Sequence, residues 1–313
     1  MTLASPGLHH VTCIAIDPQA NIDFYTKVLG LRLVKTTVNF DAPDVYHFYY
    51  GDHDGHPGTI LTFFPFVYAG RGRPGNGVTE TVALAVPRHA LDDWMVRLSD
   101  HGVDTSAPYE RMGERIVSLT DPDGLHLEVV EADFEPSPKE AIAGLHAVAL
   151  RVEDPDPTIK VLTDVLGYRQ TNEDAGVRRY SSASAAPGRH VDVLCSAGPK
   201  HARPGGGTVH HVAFRAKDDT QLAEWRELIA GQGFEVTPMK DRKYFHSIYF
   251  REPGGVLFEV ATDPPGFTVD EAPNALGTSL KLPAQFESRR ADLERRLPPV
   301  KLPHTHQADI NRF

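Results

Sequence analysis

Gly7-Leu8-His9-His10-Val11-Thr12 and Thr208-Val209-His210-His211-Val212-Ala213 are two copies of one strand word, about two hundred residues apart. The second copy is followed by Gly255-Val256-Leu257-Phe258-Glu259-Val260, an apolar strand interrupted by one carboxylate. Two imidazoles and a carboxylate on one face form a ligand kit for a divalent transition metal. With coordination positions left open, the kit suits non-haem Fe(II) and O2 chemistry.

The word opens a unit that recurs four times. Each copy has a strand, a helix stopped by glycine, and two or three further strands. Opening strands begin at Leu8, Thr79, Leu145 and Val209. Helices are predicted over 21–29, 90–101 and 221–232, with a fourth before Gly167; Gly30, Gly102 and Gly233 stop the others. Glycine just past a helix accepts the left-handed conformation without a Cβ penalty. Each copy closes with a turn dipeptide and a strand: Pro57-Gly58, Asp123-Gly124, Pro187-Gly188 and Gly254-Gly255. Units of this size are too long for most solenoid repeats and too short for four independent cores. The predicted fold is therefore α+β, with four βαβββ modules forming two paired, half-open β-barrel-like domains. The expected domains are 1–138 (modules 7–66 and 78–132) and 139–268 (modules 143–198 and 207–263). A tail, 269–313, follows with a short helix over 283–297. Residues 70–77, 134–138 and 198–207 read as linkers.

The chain has 313 residues, 41% of them hydrophobic, enough for a large core. Its net charge of -10 with no basic block argues against nucleic acid or an anionic membrane as partner. No apolar run approaches the roughly 18 residues needed to span a bilayer. Met1-Thr2-Leu3-Ala4-Ser5-Pro6 has no secretory pattern, and only Cys13 and Cys195 are present, both in apolar strand patterns. They read as small buried hydrophobes, and the expected location is the cytoplasm. His304 and His306 in the tail read as solvated.

Stacking the opening strands on Val11, Val82, Val148 and Val212 puts His10, Thr81, Ala147 and His211 at one position. Four residues after each closing-turn glycine stand Thr62, Glu128, Asp192 and Glu259. The first and fourth modules together supply His10, His211 and Glu259, with Thr62 where a fourth ligand would stand. The second and third supply no imidazole at these positions; Glu128 and Asp192 read as salt-bridged or solvated. Alternation along a strand puts His9 and His10 on opposite faces, so they cannot chelate one ion together. The other histidine of each pair is free to support its neighbour by hydrogen bonding. A lone histidine on a strand is most often a satisfied core residue, and Glu259 alone could be a strand-edge charge. The duplicated word and the matched carboxylate favour ligation. An unpaired buried carboxylate between Phe258 and Val260 would be costly.

Taken in order, these stretches resemble the vicinal oxygen chelate superfamily of glyoxalase, bleomycin-resistance and dioxygenase proteins. The nearest resemblance within it is to hydroquinone and chlorohydroquinone ring-cleaving dioxygenases. It is carried by the two His-His-Val words, Leu29-Gly30-Leu31-Arg32-Leu33-Val34-Lys35, Tyr46-His47-Phe48-Tyr49, Asp241-Arg242-Lys243-Tyr244-Phe245, Ser247-Ile248-Tyr249-Phe250 and Asp263-Pro264-Pro265-Gly266-Phe267. The resemblance implies Fe(II), or Mn(II), held by His10, His211 and Glu259. It also implies catalytic or supporting roles for His9, Thr12, His210, Arg242 and Tyr249, a small aromatic diol and O2 as partners, and extradiol-type ring cleavage. Tyr249 precedes Glu259 by one hairpin length, and Arg242 could hold a phenolate. Tyr46, Phe48, Phe64 and Phe245 are candidates for apolar walls, and equally for core. Exposed sheet edges suggest a homo-oligomer. Two other functions stay open: a glyoxalase-type metal-dependent isomerase or thiol transferase, and a non-enzymatic quinone- or drug-binding protein. The first usually wants a fourth protein ligand where Thr62 stands; the second needs no metal triad.

Overall fold

The structure, a computed structural model, describes residues 3–133, 142–194 and 202–303. The first module supplies β1 (Leu8–Ala15), α1 (Pro18–Asp23), β2 (Arg32–Asn39), β3 (Ala42–Gly51) and β4 (Ile60–Pro65). The second supplies β5 (Val78–Pro87), α2 (Leu91–Asp100), β6 (Tyr109–Arg111), β7 (Glu114–Thr120) and β8 (His126–Ala132). In the third are β9 (Gly144–Arg151), α3 (Pro155–Lys160), β10 (Arg169–Asp174), β11 (Val177–Ser181) and β12 (His190–Leu194). The fourth holds β13 (Thr208–Ala216), α4 (Asp219–Gly231), β14 (Lys240–Asp241), β15 (Phe245–Arg251) and β16 (Leu257–Pro265). The expected strand-helix-three-strand unit is present four times.

Modules combine by sheet in an order that the halves of the chain do not follow. One eight-stranded sheet runs β14-β15-β16-β13-β1-β4-β3-β2, joining the fourth module to the first. The other runs β10-β11-β12-β9-β5-β8-β7-β6, joining the third to the second. The division expected at residue 138 thus crosses both sheets. Opening strands meet antiparallel at the centre of each, β1 with β13 and β5 with β9. Glycine turns tie the sheets together: Leu8 N donates to Gly188 O at 2.7 Å and Leu145 N to Gly58 O at 2.9 Å. Gly58 has φ +90°, and a Cβ there would stand 2.5 Å from Pro187 O, so only glycine fits this crossing.

Helix boundaries depart from the sequence reading in a consistent way. The first helix starts earlier than expected, at Pro18, and the third, for which only the end was expected, starts at Pro155; they are capped by Asp17 and Asp154. An acidic N-cap before proline at the first helical position satisfies orphan N–H groups and presets φ. Both helices then widen into π turns, Phe24–Val28 and Val161–Val165. The tail helix expected over 283–297 is two pieces, α5 (Ala284–Glu287) and α6 (Arg290–Arg296). Between them Arg289 N bonds back only three residues, to Phe286 O at 2.9 Å.

The core is continuous between the sheets and helices, from Leu8, Tyr25 and Phe63 to Phe214, Trp225 and Phe258. Cys13 is buried and free; Cys195, His304 and His306 lie outside the described residues. Lys35, fully buried on β2, binds Phe267 O at 3.0 Å, Asp270 at 2.6 Å and also Glu271. That ammonium ties the tail to the edge of the first sheet. Among the described residues no helix is long and apolar enough to cross a membrane.

Candidate metal centre

Strand register brings the three expected ligands together. His10 on β1 is opposite Ala213 on β13, and Ala213 is opposite Glu259 on β16. One row along, His211 is opposite Thr12, which is opposite Thr62 on β4. The two rows lie two residues apart, so His10, Thr12, Thr62, His211 and Glu259 share the concave face. His10 Nε2 and His211 Nε2 stand 3.3 Å apart; Glu259 Oε2 is 3.3 Å from the first and 2.9 Å from the second. All three side chains are buried.

Both ligand histidines have their other nitrogen occupied. His10 Nδ1 meets His9 Nδ1 at 2.9 Å, and His211 Nδ1 meets His210 Nδ1 at 2.8 Å. Strict alternation alone would turn the two rings of each pair to opposite faces. The β1–β13 register slips between Leu8 and His10 and again between Val209 and His211. His9 and His210 are therefore bulge residues, re-aimed toward their neighbours. Burial, followed by the adjacent ligand histidine, holds His9 well below the usual imidazole range and His210 at about 4. Both rings are neutral near pH 7. An imidazole that donates from Nδ1 to such a neighbour presents a lone pair at Nε2, the form a metal ligand takes.

Burial pushes the Glu259 carboxyl upward, but His10 and His211 outweigh it and hold the group well below the usual carboxylate range. Neither Glu259 oxygen has a hydrogen-bond partner among the described residues. Three donor atoms, from two imidazoles and a carboxylate, converge within 3.3 Å of one another in a buried site, as the ligands of a single cation do. The donor set of two imidazoles and one carboxylate fits Fe(II) or Mn(II).

Around the triad is a cavity of about 350 Å³, walled by His47, Tyr49, Phe64, Phe245, Tyr249 and Arg242. Tyr249 is cross-strand from Glu259. Burial, with Glu259 nearby, raises its phenol far above the usual range, so it stays protonated. Arg242 donates to the Tyr249 hydroxyl at 3.3 Å and to exposed Asp41 at 3.0 Å. The latter bond links the β2–β3 turn to the β14–β15 hairpin across the mouth. Thr12 lies off the cavity wall, its hydroxyl 2.7 Å from that of Thr62. His9 backs His10 and packs on Phe245, ring centroids 5.1 Å apart. A separate groove of about 520 Å³, lined by Phe24, Lys27, His101 and Asp121, contains none of the triad.

The wall candidates divide by parity. Phe64 and Phe245 line the cavity. Tyr46 and Phe48 belong to the core behind β3, with the Tyr46 hydroxyl on Pro298 O at 3.1 Å. His47 and Tyr49, between and beyond them, face inward instead. The sequence reading missed these two. The available signal was alternation from Thr62: Tyr49 is its cross-strand partner, and His47 shares that face.

The second sheet has no imidazole at its ligand positions. Asp192 takes a bidentate pair from Arg179 at 2.7 and 2.9 Å. Glu128 accepts from Arg111 at 3.0 and 2.5 Å and from Tyr109 at 2.9 Å. Of the two roles left open for these carboxylates, both take the salt-bridged one.

The family model for the Glyoxalase/Bleomycin resistance protein/Dioxygenase superfamily matches residues 7–129 and 144–260. The chain belongs to this superfamily. It is 43% identical over 315 residues to the "Putative ring-cleaving dioxygenase MhqO" of Bacillus subtilis, covering 96% of this chain and 99% of that one. Against the "Chlorohydroquinone/hydroquinone 1,2-dioxygenase" of Sphingobium indicum, identity is 34% over 308 residues, with 92% and 95% covered. A crystal structure described as a putative dioxygenase from Bacillus subtilis superposes with a TM-score of 0.92 at 42% identity, covering 97% of this chain and all of that one.

Proposed function

We propose that this protein is a non-haem Fe(II)-dependent, extradiol-type dioxygenase that opens the ring of a hydroquinone or related aromatic diol with O2. The observation that carries the reading is a three-ligand triad with a hydroxyl, Thr62, at the fourth corner. That hydroxyl is already bonded to Thr12 and His47. The names of the relatives support the aromatic substrate and the use of O2.

His10, His211 and Glu259 would hold Fe(II), with Mn(II) as the other ion suited to the same donors. When bound, the metal supplies adjacent open positions for diol and O2 and a route for electron density between them. The protein's own groups do the rest. His9 and His210 fix the ligand rings through their Nδ1 contacts. Tyr249, kept protonated, supplies a hydrogen-bond donor beside the triad. Arg242 stays cationic and balances a phenolate or the carboxylate product. His210 lines the cavity, and with its Nδ1 engaged by His211 its Nε2 N–H can donate to the incoming diol. Phe64 and Phe245 keep water from the ring.

The test is oxygen uptake with loss of the aromatic absorbance on a panel of hydroquinones and catechols, beside disappearance of a glutathione hemithioacetal. Uptake coupled to ring loss is expected. Hemithioacetal turnover without O2 would favour the isomerase reading. Full ligand binding by protein stripped of metal would favour a sequestering role.

A further inference from the structure

A chain of hydrogen bonds runs from the threonines beside the triad to the wall of the cavity. Thr12 Oγ1 meets Thr62 Oγ1 at 2.7 Å, Thr62 Oγ1 meets His47 Nε2 at 2.9 Å, and His47 Nδ1 meets the Tyr49 hydroxyl at 2.8 Å. His47 packs between the tilted rings of Tyr49 and Phe64, with centroids 4.0 and 4.3 Å away, so its orientation is held from two sides. Burial, then the charges of His10 and His211, holds His47 well below the usual imidazole range, so the ring carries one N–H.

Counting hydrogens gives the chain a direction. Two threonine hydroxyls, one imidazole and one phenol bring four hydrogens, and three contacts use three of them. The spare hydrogen sits on Thr12, Thr62 or Tyr49. On either threonine it would be fully buried without an acceptor, since neither Oγ1 has a further partner among the described residues. At the Tyr49 end it points into the cavity that Tyr49 lines. A buried donor with no acceptor is the costly choice, so the chain polarises from Thr12 through Thr62 and His47 toward Tyr49. Tyr49 then accepts from His47 Nδ1 and offers its own O–H outward, strengthened as a donor by the bond it accepts.

The position of that donor indicates what it binds. Tyr49 on β3 is two strands from β1 by way of β4, whereas Tyr249 is on the strand next to Glu259 and already accepts from Arg242. Two strand spacings are about 9.6 Å. A catechol keeps both oxygens beside the triad. A hydroquinone sends its second oxygen across the ring, toward a wall at a distance. We propose that Tyr49, positioned by His47, donates its phenolic hydrogen to the distal oxygen of a para-diol and thereby selects for a hydroxyl across the ring. This inference rests on the diol-cleaving reading above.

Anaerobic calorimetric titration of the metal-loaded protein with hydroquinone and with 4-methylphenol tests it without turnover. The two ligands differ only in the distal group. Wild type is expected to prefer hydroquinone about tenfold, or about 1.4 kcal/mol. Tyr49→Phe should bring the two affinities within about twofold, with a cooperative thermal melt and bound metal verifying that the variant is folded. Thr62→Val breaks the chain away from the cavity wall and should cut the preference to about threefold. A Tyr49→Phe protein that still prefers hydroquinone tenfold overturns the anchor and leaves the diol-cleaving reading standing. A wild-type protein that binds neither phenol overturns both.

Discussion

The two sheets are built to one plan and finished in opposite ways. In each, the central antiparallel pair carries two bulges at matched places: His9 and His210 in one, Glu80 and His146 in the other. In each, a carboxylate follows the closing turn, Glu259 in the first and Asp192 in the second. Tyr249 stands across from Glu259; Arg179 stands across from Asp192. With histidines at the ligand positions, the buried carboxylate is left without a protein donor and the space suits a cation. With Thr81 and Ala147 there, a guanidinium supplies the positive charge. Arg179 also reaches Glu114 at 2.5 Å, and Glu114 contacts His146. The scaffold fixes where a buried negative charge sits; a few side chains decide whether a pair of imidazoles or an arginine faces it.

The sharpest break between the sheets is in metal content. His211→Ala or Glu259→Ala should lower metal affinity by more than about a hundredfold, beyond the range for supporting residues, and abolish oxygen uptake. Asp192→Asn should leave the metal content untouched. Elemental analysis of all three proteins checks this, and loss of metal in Asp192→Asn would break the comparison. Stability should show the opposite pattern. Asp192→Ala leaves a buried guanidinium short of its partner and should cost about 3–5 kcal/mol, a fall in Tm of roughly 10 °C. Replacing the pair together, Arg179→Met with Asp192→Leu, should recover most of that loss in a thermal melt.

A smaller effect concerns acid. Burial raises the Glu114 carboxyl, but His146 and Arg179 outweigh it and bring the group from 4.5 down to about 2. A depressed carboxylate contributes stability that is present above the unfolded-state pKa and lost as pH falls through the folded one. The window is therefore pH 4.5 to about 2. Glu114→Gln should remove on the order of 2–3 kcal/mol of stability at pH 6 and flatten the dependence below pH 4.5. Denaturant melts at pH 6 and pH 3 measure it, and an equal acid slope in both proteins would count against the assignment.

The convergence of His10, His211 and Glu259 was legible because equal offsets from a turn glycine carry register information. Four repeats let His10, His211 and Glu259 be aligned without knowing which strands touch. The bulges were less legible, since an extra residue is defined by its partner strand, and so the His9–His10 contact ran against simple alternation. Parity on β3 was readable in principle from Thr62, but the run Tyr46-His47-Phe48-Tyr49 has aromatic rings on both faces. The role of Arg179 had no signal in its own strand; its meaning comes from Asp192 across the sheet. The helix starts were present in Asp17-Pro18 and Asp154-Pro155 as N-cap and first-turn proline, a signal the sequence reading did not use.

The most direct test of the central claim is anaerobic reconstitution with Fe(II), followed by metal analysis and oxygen uptake with hydroquinone. One iron per chain is predicted, with one O2 consumed per hydroquinone and the aromatic absorbance lost to a ring-opened product. Two irons per chain, or oxygen uptake that yields only benzoquinone, would contradict a single ring-cleaving centre in the sheet formed by the first and fourth modules.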